Sequence, residues 1–259
     1  MTIYARVLGI AQDAGVPHTG CSCARCERFR ERPLLPASLG LVGEQGSYLI
    51  DATPALAEQL RLLGALPDAL LLTHLHMGHI AGLLHFGREA LAVRALPLHA
   101  TPPVCGFIET NGPWELLVRD GHLQPVPHAA GERFELEPGL EVESIAVPHR
   151  DEYGDTVAYL IHGPNRKLLY LPDIDHWEID PNELVARCDV ALLDGTFFSR
   201  DELPRQGDVP HPPIAETLKL LTPESVAKVA FLHLNHTNPA LDSDGPPVVL
   251  AEQGATIEL

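Results

Sequence analysis

Three histidines lie close together in the segment LLTHLHMGHIAGL, where an apolar run leads into residues with helical spacing. They are His74, His76 and His79. A neutral imidazole nitrogen binds a divalent metal at about 2 Å. Because His74 and His76 are two residues apart, their side chains point to the same side of an extended chain, and His79 can return toward them after a turn. The spacing predicts a metal site, and the alternative is a loop held by hydrogen bonds.

Further candidate ligands stand at the ends of later apolar runs. His149 ends LEVESIAVPH, Asp173 ends KLLYLPD, and His233 lies in AFLHLNH. Each follows an expected strand and precedes a loop, so all three can meet at one edge of a sheet. Taken one at a time, a capping aspartate or a histidine bonded to nearby backbone explains each of them equally well. Together with the three clustered histidines they complete a ligand set.

The segment GCSCARC presents a second kind of metal ligand, the thiol. Its cysteines are Cys21, Cys23 and Cys26. Three thiols this close cannot form disulfides among themselves without strain, and one thiol would stay unpaired. A reducing compartment also disfavours disulfides. A tetrahedral zinc accepts this spacing and needs one more ligand, for which His236 is the best candidate and Cys105 and Cys188 are the competitors. A closed four-ligand site contributes to folding rather than to turnover.

The remaining histidines are sorted by their sequence context. His211, in GDVPHPPIAET before an expected helix, is a candidate for contact with substrate or with a second ion. His18, in a glycine-rich loop, is a weaker candidate for the same site. The others are assigned structural roles: His85, His99, His122, His128, His162 and His176.

The composition is that of a globular protein with an acidic surface. The chain has 259 residues, 18 basic and 35 acidic side chains, and a formal net charge of -17. A negative field repels phosphate backbones and anionic lipids, so nucleic acid and membrane surfaces are poor partners. A small anionic substrate stays open, since bound metal ions invert the charge locally. The expected partner is a small-molecule substrate, and a homodimer is compatible with the sequence.

Targeting segments are not evident. No apolar run approaches the ~20 residues that cross a bilayer. The N-terminal MTIYARVLGI lacks the basic region and the apolar core of a secretory signal. We therefore expect a cytoplasmic protein with reduced cysteines.

Strand and helix patterns alternate along the chain. SYLIDAT, DALLLTH, DVALLDG and AKVAFLHL are typical of buried strands, whereas PALAEQLRLLG, MGHIAGLLHFGREAL, PNELVARC and IAETLKLL have helical spacing. TVAYLIHG and KLLYLPD, joined by GPNR, predict a hairpin. Segments 102–130 and 196–212 are expected to be substrate-recognition loops. This pattern predicts an α/β fold in one domain, with helices covering the sheets.

With these residues in hand, the chain resembles the metallo-β-lactamase superfamily, whose mark is H-x-H-x-D-H after a strand. Within it, the chain is similar to the branch that includes pyrroloquinoline quinone biosynthesis protein B and the cyclic phosphodiesterase of phosphonate breakdown. LGIAQDAGVPHTGCSCARC, LIDATP, LPDID, LLDGTFF and HLNHTNP all match that branch in the same order. The resemblance implies an αββα sandwich over residues 1–259, with an N-terminal zinc knuckle at residues 20–27.

The resemblance also implies a role for each candidate ligand. His74, His76 and His149 would hold a first metal, and Asp173 would bridge to a second. His79 and His233 would hold that second metal. A structural zinc would be bound by Cys21, Cys23, Cys26 and His236.

One position departs from the family motif. Gly78 stands where the family has an aspartate. Without that aspartate, the second metal position has one formal negative charge fewer. A ligand carboxylate contributes several kcal/mol of attraction to a dication, as an order of magnitude. We therefore expect the first position to bind metal and the second to be weak. Gly78→Asp is expected to raise the metal content.

Three functions are compatible with these features. The first is a metal-dependent hydrolase of a small-molecule ester or phosphoester, using zinc, manganese or iron at His74, His76, His149 and Asp173, with His79, His233 and His211 beside the substrate. The second is an iron-dependent oxygenase in cofactor biosynthesis, because three histidines and a carboxylate also suit ferrous iron. The third is a non-catalytic carrier stabilised by metal.

Overall fold

The protein consists of two packed sheets with helices on their outer faces, seen here in a computed structural model that describes residues 3–202 and 210–259. Strands are numbered along the chain. The first sheet runs, in spatial order, β13 (Thr256–Glu258), β1 (Tyr4–Gly9), β2 (Ser38–Val42), β3 (Ser47–Ile50), β4 (Ala69–Leu71), β5 (Leu96–Ala100) and β6 (Leu123–Pro127). The second runs β12 (Val229–Leu232), β11 (Val190–Asp194), β10 (Lys167–Leu171), β9 (Val157–His162), β8 (Leu140–Ala146) and β7 (Arg133–Glu137).

The helices are short. They are α1 (Ala24–Arg28), α2 (Leu56–Leu63), α3 (Met77–Ile80), α4 (Pro102–Thr110), α5 (Trp114–Arg119), α6 (Pro181–Ala186), α7 (Ile214–Leu220) and α8 (Pro223–Val226). Turns of 3-10 helix span Ala81–Phe86, Arg200–Glu202 and Pro239–Leu241. No helix in residues 3–202 or 210–259 is long and apolar enough to span a bilayer.

The core explains why the central strands are continuously apolar. Strand β9 is buried along its whole length, and β10 is buried except at Lys167. One apolar cluster fills the space between the two sheets, with Leu71 from one sheet and Tyr170 from the other. A second cluster joins the outer face of the first sheet to α2, α4 and α5. A strand that is covered on both faces needs apolar side chains on both faces, which explains the continuous apolar runs. Two packed sheets with helices outside them confirm the predicted αββα sandwich in the α/β class.

Strand direction places the candidate ligands at one edge. Strands β3, β4, β5 and β6 pair in parallel, as do β10, β11 and β12. The carboxyl ends of parallel strands lie at a common edge, where open α/β sheets bind their ligands. The predicted β9–β10 hairpin is present as an antiparallel pair.

Two local predictions are wrong. MGHIAGLLHFGREAL does not form one α-helix but the short α3 followed by a 3-10 turn. The backbone of Gly82 approaches β3's exit so closely that a Cβ there would lie 2.3 Å from the Thr53 carbonyl oxygen, and its N–H donates to Ala52 O at 2.8 Å. This close contact draws the chain out of α-helical geometry.

Segment 102–130 is likewise not a loop, since it forms α4, α5 and β6. Pro102 occupies the first turn of α4, where a missing N–H costs nothing. The proline and glycine content that suggests a loop instead marks the starts and ends of helices. Of the other expected recognition loop, 196–212, residues 203–209 lie outside the described residues.

Candidate metal centre

The six predicted ligands converge at the shared sheet edge. His74 and His76 follow β4, and His79 lies in α3. The others follow β8, β10 and β12 and are His149, Asp173 and His233. Buried strands hold these loop residues in place, which is how a sheet presents chemistry at its carboxyl ends.

The first group of donor atoms comprises three imidazole nitrogens. His76 Nδ1 lies 3.0 Å from His74 Nε2 and 3.0 Å from His149 Nε2. The Oδ1 atom of Asp173 lies 3.5 Å from His149 Nε2. The three nitrogens are therefore close enough to share one ion.

The second group lies on the other side of Asp173. Its Oδ2 atom is 3.2 Å from His79 Nε2 and 3.4 Å from His233 Nε2. One carboxylate thus faces both groups, with one oxygen toward each. Asp173 is 3% exposed, and His79 and His233 are each 1% exposed, so water does not solvate these donors freely.

The far side of each ring shows which nitrogen carries the proton. A carboxylate can only accept, so His79 Nδ1 donates to Asp51 at 2.9 Å and His149 Nδ1 donates to Asp175 at 2.7 Å. His76 Nε2 faces Glu152 at 3.3 Å. In the neutral form of each of these rings, the nitrogen inside the centre is left with its lone pair.

Two threonines complete this pattern through buried aspartates. Thr73 Oγ1 lies 2.9 Å from an Asp51 oxygen and 2.9 Å from His74 Nδ1. Because the hydroxyl has a single proton and the carboxylate must receive it, His74 Nδ1 donates to Thr73.

The second such pair lies at the exit of β11. Thr196 Oγ1 lies 2.7 Å from Asp194 Oδ1 and 2.8 Å from His233 Nδ1. By the same reasoning, His233 Nδ1 donates to Thr196, and its Nε2 lone pair faces inward.

Inward lone pairs at such separations repel each other unless a cation lies among them. With the protons on the outward nitrogens, hydrogen bonds do not account for the 3.0 Å contacts of His76 with His74 and His149. Partners on the outer nitrogen are the usual support of metal-binding histidines. The residues present therefore fit a divalent metal, although their assignment as ligands stays a prediction.

The protonation states favour metal binding at most positions. Burial lowers the pKa of His74 well below its ordinary value and that of His149 to about 4, so both rings are neutral. Burial by itself raises the pKa of Asp173, but the rings of His233 and His79 outweigh it and hold that pKa well below its ordinary value. A metal needs neutral imidazole and ionised carboxylate, which are the forms these groups adopt.

His79 differs in a way that also favours a cation. Burial lowers its pKa, but the carboxylates of Asp51 and Asp173 outweigh that effect and raise the pKa well above its ordinary value. Positive charge is therefore stabilised at this position, whether a proton or a metal supplies it.

His211 lies beside both groups. Its ring centroid is 5.3 Å from that of His149 and 5.6 Å from that of His233, and its Nδ1 donates to Asp194 at 2.6 Å. Burial lowers the pKa of His211, but Asp194 outweighs it and raises that pKa to about 9. The ring is thus a cationic hydrogen-bond donor at neutral pH, held against the candidate metal centre.

Backbone strain is concentrated at the same edge. Asp51, His211 and His233 have positive φ angles of 66°, 87° and 60°. Residues other than glycine adopt this region at a cost, and such residues cluster at functional sites.

The four predicted knuckle ligands also meet. Their donor atoms lie within 4.8 Å of one another, with His236 Nδ1 3.5 Å from Cys26 Sγ and 3.8 Å from Cys23 Sγ. Thiolates bound to zinc at about 2.3 Å in a tetrahedron lie about 3.8 Å apart. A backbone hydrogen bond at Cys26 and the His236 ring lower the pKa of Cys23 to about 6, which favours its thiolate. The competitors Cys105 and Cys188 are buried elsewhere, against Ala100 and Val185.

Comparison with known proteins identifies the family. A sequence profile described as a beta-lactamase superfamily domain matches residues 47–234. The chain belongs to this superfamily. It is 28% identical to Coenzyme PQQ synthesis protein B of Methylobacterium sp. (strain 4-46), with 96% of each chain covered.

Two solved structures show the same fold. Zn(2+)-bound PqqB from Methylobacterium extorquens superposes with a TM-score of 0.80 at 23% identity, covering 99% of this chain and 100% of that one. A diphosphatase from the PhnP family superposes with a TM-score of 0.74 at 23% identity, covering 100% of this chain and 98% of that one. These likenesses confirm the predicted resemblance and the architecture.

The remaining histidines of this superfamily member lie away from the centre. The ring of His18 packs in a tilted arrangement against that of His236, 4.6 Å between centroids, so it lies beside the knuckle. The six with predicted structural roles have local contacts: His85 with Gly82, His99 with His128, His122 with Val93, His162 with Glu143, and His176 with Glu178.

The sequence pattern did not single out the supporting aspartates Asp51 and Asp194. Each directly ends an apolar strand, in SYLIDAT and DVALLDG, in the same position that drew attention to Asp173. That shared position is the signal that could have found them.

Proposed function

We propose that this protein is a metal-dependent hydrolase that cleaves a small-molecule ester or phosphoester. The observation that carries the proposal is the position of Asp173, whose two oxygens face two separate groups of imidazole nitrogens at 3.2 to 3.5 Å. A carboxylate shared between neighbouring donor groups is suited to binding and activating water. Beta-lactamase superfamily proteins are commonly hydrolases, which supports the same reading.

The bound metal would supply the nucleophile, since it lowers the pKa of water from ~16 to about 7 and polarises the scissile bond. His74, His76, His149 and Asp173 would hold it. The chain's own residues fix this geometry, because each ligand ring is oriented by an acceptor on its outer side. Burial of the donors limits competing water and strengthens their interaction with charge.

His211 would act on the leaving group. Its inner edge faces the centre, while Asp194 holds its outer nitrogen and keeps the ring protonated. A protonated imidazole at this position can donate a proton to the departing oxygen or stabilise negative charge on it.

The adjoining cleft suits a small substrate. A cavity of about 540 Å³ opens beside Gly78 and Met77 and is lined by apolar side chains that include Val16 and Leu34. Clefts of this size, apolar with a few polar groups at one end, are typical of small-molecule sites.

A second candidate is an iron-dependent oxygenase in cofactor biosynthesis. The relationship over nearly the full length to Coenzyme PQQ synthesis protein B supports it, and the donor set also accepts ferrous iron. Two assays separate these candidates. Protein loaded with zinc or manganese is tested for hydrolysis of bis(p-nitrophenyl) phosphate and p-nitrophenyl esters, and iron-loaded protein is tested for oxygen uptake with tyrosine-like substrates.

Ester or phosphoester hydrolysis that depends on the added metal supports the first proposal. Oxygen uptake with iron, and no hydrolysis with any metal, overturns it in favour of the second. A protein that retains only one zinc, at the knuckle, would favour the non-catalytic carrier.

A further inference from the structure

Gly78 leaves a space that another residue's side chain fills. A Cβ built on Gly78 would lie 1.9 Å from Asp13 Oδ1, 2.6 Å from its Cγ and 2.7 Å from its Cβ. Asp13 belongs to the loop after β1, remote in sequence from α3. Its carboxylate therefore occupies the place into which a side chain at position 78 would project.

The Asp13 carboxylate extends the second donor group. Its Oδ1 lies 3.6 Å from His79 Nε2 and 3.7 Å from His233 Nε2. Asp173 Oδ2 lies 3.2 and 3.4 Å from the same two nitrogens. Donors bound at about 2.0–2.1 Å to a tetrahedral metal lie about 3.3 Å apart. These four separations between carboxylate oxygens and imidazole nitrogens are therefore close to those between ligands of one ion.

Three of these four atoms lack hydrogen-bond partners. Among the described residues, Asp13 Oδ1, Asp173 Oδ2 and His233 Nε2 are all buried polar atoms with no partner. A buried carboxylate oxygen left unpaired is costly, and separations above 3.5 Å are too long for a good hydrogen bond. All three unpartnered atoms face one small volume. This indicates that a ligand binds there, rather than that three polar groups are unsatisfied independently.

The fold holds Asp13 in register with His233. The N–H of Gln12 donates to Leu234 O at 3.0 Å, and the N–H of Leu234 donates to Ile10 O at 2.8 Å. The loop that carries Asp13 is thus fastened to the strand exit that carries His233. This backbone contact fixes both ligands relative to each other before any ion binds.

We propose that Asp13 is a ligand of a second metal ion, supplying from the N-terminal loop the carboxylate that Gly78 does not provide. The second ion would be held by Asp13, His79, His233 and the shared Asp173. This inference rests on the proposed function only in treating the cluster as a metal centre, and it requires no substrate. It replaces the expectation of a single metal drawn from Gly78. It also reverses the expected effect of Gly78→Asp, which must displace Asp13 and so adds no metal.

The test is the zinc content of the whole chain. The wild-type protein and Asp13→Ala are equilibrated with zinc, dialysed and analysed by mass spectrometry of the metal. The wild type should hold three zinc ions, one at the knuckle and two at the centre, and Asp13→Ala should hold two. Glu58→Gln is the matched control, because Glu58 lines the same cleft without contributing a donor atom, and it should keep three.

Equal zinc content in the wild type and Asp13→Ala would overturn the proposal, as would a wild type that binds only two. If circular dichroism shows that Asp13→Ala does not fold, the zinc content of Asp13→Ala/Gly78→Asp, which moves the carboxylate to position 78, tests the proposal instead. Three zinc ions in that variant support the proposal, and two overturn it. A protein that passes this test yet hydrolyses nothing would overturn the proposed function and leave the role of Asp13 standing.

Discussion

Asp51 connects the two donor groups on the side that faces away from the centre. Its Oδ2 accepts a hydrogen bond from His79 Nδ1 at 2.9 Å, and its carboxylate also accepts one from Thr73 Oγ1. Thr73 Oγ1 in turn accepts a hydrogen bond from His74 Nδ1. One carboxylate, buried completely, thereby sets the tautomer of a histidine in each group. Asp194 holds the protonated ring of His211 and, through Thr196, sets the tautomer of His233.

Replacing this buried acceptor should weaken metal binding without unfolding the protein. Asparagine tolerates the positive φ of Asp51, but it lacks the charge that stabilises His79. We expect Asp51→Asn to reduce zinc affinity at the centre about 10- to 100-fold, as measured by competition with a chromophoric chelator. Asp180→Asn is a suitable control, because asparagine can keep the helix cap at that remote site. Unchanged affinity in Asp51→Asn would contradict the role given to Asp51.

Asp173 should be indispensable to the centre. Asp173→Ala removes the carboxylate whose two oxygens face the two predicted donor groups. We expect it to lose metal from the centre and to lose turnover, while the knuckle keeps its zinc. Metal analysis combined with the hydrolysis assay measures both effects. Retained activity in the folded variant would rule out the assignment.

His211 should affect turnover rather than metal content. Its protonated ring is proposed to assist the leaving group, so His211→Gln should lower kcat by about 10²- to 10⁴-fold with the metal still bound. The deficit should shrink for substrates whose leaving groups need no proton, such as p-nitrophenolate. Loss of a metal ion from this variant would instead make His211 a ligand.

Asp242 ties the knuckle helix α1 to the segment that follows the fourth knuckle ligand, His236. Asp242 accepts from Arg25 at 2.9 Å and from Arg28 at 2.6 Å, and Arg25 also donates to the carbonyl of His236 at 2.8 Å. Asp242→Asn should therefore loosen α1 against the segment that carries the fourth ligand.

We expect Asp242→Asn to lose about 1 kcal/mol, in the range of a partly exposed ion pair. That loss would lower the Tm by about 2–4 °C. The knuckle should also release its zinc faster to a chelator. Glu58→Gln, which removes an exposed ion pair with Arg61, gives the background for such a change. An unchanged release rate would show that the clamp does not support the knuckle.

Much of the site could be predicted because its chemistry is local. His74, His76 and His79 carry their signal in a spacing of a few residues, and Cys21, Cys23 and Cys26 do the same. Strand ends marked the remaining ligands, because an apolar run must stop where a polar side chain leaves the sheet. The α/β class followed from the same alternation of buried strands and helices.

Segment 102–130 shows where local reasoning fails. Proline and glycine there indicated a loop, yet helix α4 begins at Pro102. The same residue types start helices and interrupt them, and only packing against the first sheet decides between the two.

Asp13 could not be predicted from its neighbours in the chain. A single aspartate in a glycine-rich loop is ordinary, and Gly78 by itself indicates only a lost ligand. Their relation exists because β1's exit is hydrogen-bonded to the exit of β12, which brings position 13 against position 78. Residue types and short spacings thus determined which candidate metal ligands this chain contains. Only the tertiary structure decided which of them meet, because that depends on contacts between segments far apart in sequence.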